Sequence, residues 1–145
     1  YLRPGQYTDA DLVKARALVP TLDLQPGQNL VLVAQKAATA AFGICPATCD
    51  GPQVQANSAS KFWDYIALGL PVGCADNVPE ASHVRARPYL GELYRQGDAD
   101  SIRAAARRIL FECASSEFWG RRRAIQNWAY ENTYRHRAEV IHGLL

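Results

Sequence analysis

The chain has 145 residues, 48% of them hydrophobic and 21% charged, with a formal net charge of +2 at pH 7. Those proportions belong to a globular domain with a real core and exclude a disordered or low-complexity chain. No apolar run approaches the length of a membrane span, there is no signal-peptide pattern at the start, and no nucleic-acid motif accompanies the small positive charge.

The chain starts at Tyr1 and contains no methionine, so it is expected to be part of a longer protein, with residues 1–145 forming one domain. Four cysteines in a chain of this size do not suggest a disulfide scaffold. Cys45 and Cys49 are one helical turn apart but have Pro46 between them, and Cys74 and Cys113 fall in apolar patterns as small buried hydrophobes. The three histidines, His83, His136 and His142, do not cluster with cysteine, and no metal site is expected.

In chain order, Thr8-Asp9-Ala10-Asp11 resembles a capping box ahead of Leu12, Ala15, Leu18 and Val19, and that helix ends at Pro20. Pro26 to Asn29 form a turn. Residues 30–41 fit either a strand or a helix, and the helix is preferred because Phe42-Gly43-Ile44-Cys45 then supplies the next strand of a βα alternation. Pro46 to Ser58 is a loop at the C-terminal end of that strand, the edge at which open α/β sheets bind ligands.

Residues 58–72 carry the most information. Asn57 or Ser58 caps a short helix whose packed face is Phe62, Tyr65, Ile66 and Gly69. Gly69 suits the left-handed position after the last turn, Pro71 cannot continue the helix, and Val72 to Ala75 is a short strand for a covered parallel sheet. Lys61 is the odd residue, because a cation in a first helical turn opposes the helix dipole unless an anion binds there. Asp64, one turn further along the same face, could accept bonds from sugar hydroxyls. The plain alternative is a solvent-exposed Lys61–Asp64 pair three residues apart.

Asp76 to Pro88 reads as a long irregular segment in which His83 is solvated. Asp98 caps the clearest helix, with Ile102, Ala105, Ala106, Ile109, Leu110 and Cys113 as its apolar stripe. Another helix, capped by Ser115 or Ser116, carries Phe118, Trp119, Ile125 and Trp128, and Thr133 starts a last one. The basic charge is concentrated late: residues 101–145 hold 8 arginines against 4 acids. Arg121-Arg122-Arg123 beside Phe118, Trp119 and Trp128 is read first as a solvated helix face and second as a contact with anionic lipid or nucleic acid.

Lys61-Phe62-x-Asp64-Tyr65-x-Ala67-x-Gly69-x-Pro71-Val72 resembles the K-[LF]-x-E-Y-x-A-x-G-x-P-V segment of glycosyltransferases with the GT-B fold. Gly91-Glu92-Leu93-Tyr94-x-x-Gly97-Asp98 and Asn132-Thr133-Tyr134-x-x-Arg137-Ala138-Glu139 resemble that family's later strand, its "G-D" helix start and its terminal helix, so the likeness runs over residues 42–145. The resemblance implies an α/β fold, a Rossmann-like parallel sheet with helices on both faces, forming the donor-binding half of a GT-B enzyme. It implies hexosyl transfer from a nucleotide-diphosphate sugar of the UDP or GDP type to a glycan or lipid-linked acceptor, without a further cofactor or metal. An N-terminal acceptor domain would be the partner, and the cytoplasm or the inner face of a membrane the location. Ser58, Ser60 and Lys61 would hold the diphosphate and Asp64 the ribose. The chain departs from the pattern at Asp64, where the family has glutamate, and at Ala56, where many members have an earlier glutamate, so a retaining mechanism is not implied. A nucleotide-binding or scaffold domain without transferase activity is the competing expectation.

Overall fold

A computed structural model of the chain describes residues 8–18, 34–37, 39–45 and 60–133, without the side chains of residues 11, 12, 18 and 60. The chain divides into two compact units, residues 1–38 and 39–145. In the first, α1 runs over Asp9–Leu18, as the acidic start at Thr8-Asp9 predicts, and residues 34–37 are helical. The helix expected over residues 30–41 does not reach its far end, because residues 39–41 form a turn and bend; residues 30–33 and 38 lie outside the described residues.

The second unit is an α/β layer structure. Its strands are β1 (Gly43–Cys45), β2 (Val72–Ala75) and β3 (Gly91–Tyr94), all parallel and in the order β1-β2-β3. Cys45 lies opposite Cys74, and Ala75 opposite Tyr94. Between and after them come α2 (Ser60–Ala67), α3 (Ala81–Ala86), α4 (Ala99–Cys113) and α5 (Phe118–Glu131). All four residues of β2 are buried, which explains why this strand is apolar throughout instead of alternating.

The two faces of the sheet carry different helices. On the face of Gly43 and Cys45, α2 comes so close that a Cβ on Gly43 would overlap the Tyr65 ring. On the other face, Arg108 of α4 donates to Glu92 at 2.7 Å. The Tyr94 ring lies on that face too, passes beside side-chain-free Gly73, and donates its hydroxyl to the Cys45 carbonyl at 3.1 Å. One side chain from β3 thus ties β1 to the sheet across β2.

Two glycines are required by geometry. Gly69 has φ +72° just after α2, where it lets the chain turn sharply into β2. Gly91 opens β3 at φ +155°, and a Cβ there would overlap the Val72 carbonyl oxygen on the neighbouring strand. The core is Phe62, Ile66, Val72, Leu90, Ile125 and their neighbours, each large side chain contributing about 1.5–3 kcal/mol by leaving water.

Several expectations change. The segment from Asp76 to Pro88 is not irregular throughout, since α3 and a 3-10 turn at Pro88–Leu90 lie at its end. The apolar stripe of α4 is narrower than its spacing suggests: Ala105 and Ile109 are buried, whereas Leu110 is exposed. Asp98 caps α4 as expected, its carboxylate accepting from Asp100 N at 3.0 Å and Ser101 N at 2.9 Å. Helix α5 is preceded by Glu117 without a side-chain cap, rather than being capped by Ser115 or Ser116. The expected last helix lies outside the described residues beyond Thr133.

Candidate functional site

Because β1 and β2 are parallel, α2 runs back between them and begins at the C-terminal edge of the sheet. Phe62 and Ile66 are fully buried and set the rotation of the helix, so that Lys61 and Asp64 face solvent. Lys61 Nζ lies 3.2 Å from Asp64 Oδ2, with the two side chains 55% and 47% exposed. A pair this exposed contributes a few tenths of a kcal/mol at most, on the order of any surface ion pair. The far end of α2 is held by Arg122, which donates to the Leu68 carbonyl at 3.2 Å. A cation there complements the negative end of the helix dipole.

Of the four residues singled out from sequence, Lys61 and Asp64 are brought together. Ser60 is the first residue of α2, its side chain outside the described set, and Ser58 lies outside the described residues altogether. The same sheet edge holds groups that spacing did not nominate. Asn77, after β2, donates to the Gln96 side chain, after β3, at 2.6 Å. Arg85 donates to the Asp76 carbonyl at 2.8 Å. These contacts join segments 9 and 19 residues apart, and no short-range pattern announces them.

His83 is not a solvated loop residue. It sits on α3 with its ring centroid 5.4 Å from Trp63, 5.3 Å from Trp128 and 6.1 Å from Phe62. Trp63 stacks on Trp128 at 5.7 Å, and the Arg87 guanidinium lies 5.3 Å from the Trp128 ring. This cluster joins α2, α3 and α5, and its work is packing. Next to it, Glu80 is only 2% exposed, the one buried charged residue among the described residues.

The in-register thiols of Cys45 and Cys74 are both buried. A hydrogen bond with Cys45, together with burial, pushes the Cys74 thiol up, so it stays protonated across the ordinary pH range. The described residues contain no cluster of three or more metal-ligating side chains.

A further depression lies elsewhere. An open cavity of about 770 Å³ lies between the residues that open β3 and the start of α5, lined by Tyr89, Glu92, Glu112, Phe118, Trp119 and Arg121 among others. It is at the N-terminal edge of the strands, away from Lys61. Several charges around it are engaged, Arg108 with Glu92, and Arg121 with Glu112 and with the Tyr89 carbonyl at 2.7 Å, whereas Glu117 and Arg123 on its lining are exposed. Burial pushes the Arg121 guanidinium down from its ordinary value. The cavity therefore offers ring surface together with the exposed charges of Glu117 and Arg123.

Arg121, Arg122 and Arg123 do not form the uniform solvated face expected from sequence. Arg121 is tucked against Glu112, and Arg122 lies over the Phe118 and Trp119 rings at 5.7 and 5.4 Å. Only Arg123 is exposed among the three.

Comparison with family models, with curated proteins and with solved structures finds no match to this chain.

Proposed function

We propose that this chain is the donor-binding, Rossmann-like half of a GT-B-type glycosyltransferase. It would move a hexose from a nucleotide-diphosphate sugar of the UDP or GDP type to a glycan or lipid-linked acceptor. The observation that carries this reading is Lys61 in the first turn of α2 at the C-terminal sheet edge, with Asp64 one turn along the same exposed face. The first turn of the helix, its dipole and an ammonium converge there on the place where a diphosphate would sit.

In this reading a donor exchanges partners with an existing ion pair. Lys61 turns from Asp64 to the diphosphate, at small cost because the exposed pair is weak. Asp64 then accepts from the ribose hydroxyls. As the glycosidic bond breaks, charge builds on the departing diphosphate, and Lys61 with the amides of α2 and the hydroxyls of Ser58 and Ser60 stabilises it.

Calorimetry and thermal shift with UDP, GDP, ADP and dTDP test the reading. One of the four should raise the melting temperature, and Lys61→Ala should weaken its binding roughly ten- to a hundredfold, the worth of one charge-assisted contact. Asp64→Ala should weaken the nucleotide while leaving inorganic pyrophosphate almost untouched. Silence towards all four nucleotides ends the proposal.

A second reading, a nucleotide-binding or scaffold domain without transferase activity, is favoured by Ala56 standing where the resembling family often has a glutamate. It shares the binding predictions and differs in one result: the whole protein would bind donor without ever releasing the sugar.

A further inference from the structure

Two rings stand out from the surface at the sheet edge remote from Lys61. Phe111, at the end of α4, is 84% exposed, and Trp119, in the first turn of α5, is 66% exposed. Leu110 and Tyr89 are exposed beside them. Phe111 shares a shallow depression with Arg107, Arg108 and Glu112, and Glu112 also lines the adjoining cavity with Trp119 and Arg123, so the surface is continuous.

The charges around these rings are not balanced. Glu92 and Glu112 are neutralised by Arg108 and Arg121. Among the described residues, Arg107 and Arg123 are exposed and make no ion pair. Against these two cations stands Glu117. Protruding Phe and Trp side chains rimmed by arginine are the composition of a surface that enters the boundary between lipid headgroups and chains.

We propose that this face docks on an anionic lipid bilayer, with Phe111 and Trp119 inserted at the headgroup level and Arg107 and Arg123 against lipid phosphates. A second copy of the chain fits the face poorly, because a twofold contact would set the same excess of arginine against itself. Docking through this edge leaves the Lys61 edge open, and the proposal does not depend on what binds there.

Sedimentation of the 145-residue chain with vesicles tests it. The chain should pellet with phosphatidylcholine vesicles containing phosphatidylglycerol, pellet far less with phosphatidylcholine alone, and be released by salt. Each arginine near an anionic surface changes affinity roughly fivefold, so the Arg107→Glu/Arg123→Glu double variant should bind at least ~25-fold more weakly. Phe111→Ser/Trp119→Ser should also release the chain, with thermal melts unchanged because both side chains are exposed. Lipid brominated near the headgroup should quench part of the tryptophan fluorescence, and that part should vanish in Trp119→Phe. Wild-type protein left in the supernatant, equal binding to both vesicle types, or charge-reversed variants that bind like wild type would each overturn the proposal. So would a dimer in free solution that the Phe111→Ser/Trp119→Ser variant dissolves, which would assign the face to a second copy.

Discussion

Replacing Tyr94 by phenylalanine removes one hydroxyl, and the destabilisation it causes should shrink as pH rises. At neutral pH the variant loses the bond to the Cys45 carbonyl and leaves that acceptor without its donor. The cost should be about 1–2 kcal/mol, a lost hydrogen bond plus part of the penalty for an unsatisfied buried group. In alkali the wild type has its own difficulty. The phenol titrates near its ordinary value of 10 in the unfolded chain, but in the fold it is pushed up to about 12 by burial and by the neighbouring Cys74 and Cys45. A raised folded value means that this contribution is intact below pH 10 and is lost as pH rises towards 12. Integrated to about pH 11, the loss is about 1.4 kcal/mol, and phenylalanine does not suffer it. Urea unfolding of both proteins at several pH values should therefore show a stability gap that is full at pH 7 and nearly closed by about pH 11. A gap that stays constant over that range would refute the reasoning, because the hydroxyl would then not titrate in a buried site.

Gly91→Ala should destabilise the fold by on the order of 3 kcal/mol, combining a strained backbone with overlap on the Val72 carbonyl; a melting temperature equal to wild type would show that β3 does not approach β2 as described. Asp98→Ala removes both cap bonds of α4 and should cost about 1 kcal/mol, with Asp98→Asn recovering most of it. Arg121→Ala should destabilise clearly more than Arg123→Ala, since only Arg121 holds the carbonyls of Pro88 and Tyr89 as well as Glu112; equal melts would contradict the buried role of Arg121.

Local chemistry made some elements readable from sequence. A glycine at the end of an apolar helix followed by proline has few other uses than a left-handed turn, and Gly69-Leu70-Pro71 behaves so. An aspartate before a periodic stretch is a cap, as Asp98 is. Helix α3 was hidden because its six residues are too few to show a period, and prolines at 79 and 88 bracket it as they would a loop. Exposure of Leu110 was hidden for a different reason: the width of a stripe that becomes buried depends on what packs against it, and on α4 Ala105 and Ile109 are buried with Ile102 partly buried against the core. The role of His83 depends on Trp63 and Trp128, 20 and 45 residues away in sequence, which no window contains. Lys61 and Asp64 had two readings from spacing, and the exposed pair at 3.2 Å is the plainer of them. The donor reading adds a bound anion to that same geometry.

The buried thiols of Cys45 and Cys74 give the sheet a chemical clock. An alkylating reagent reaches neither sulfur while β1 and β2 stay paired, whereas Cys113, on α4, is only half-buried. Slow modification at Cys45 and Cys74 therefore counts openings of these two strands one molecule at a time, and its rate under native conditions measures how far that opening lies above the ground state. Ligands that bind the folded unit should slow this clock without changing the reaction at an exposed thiol. A mass spectrum taken at intervals would then read the stability of the sheet beneath α2 directly, with no denaturant and no label introduced by mutation.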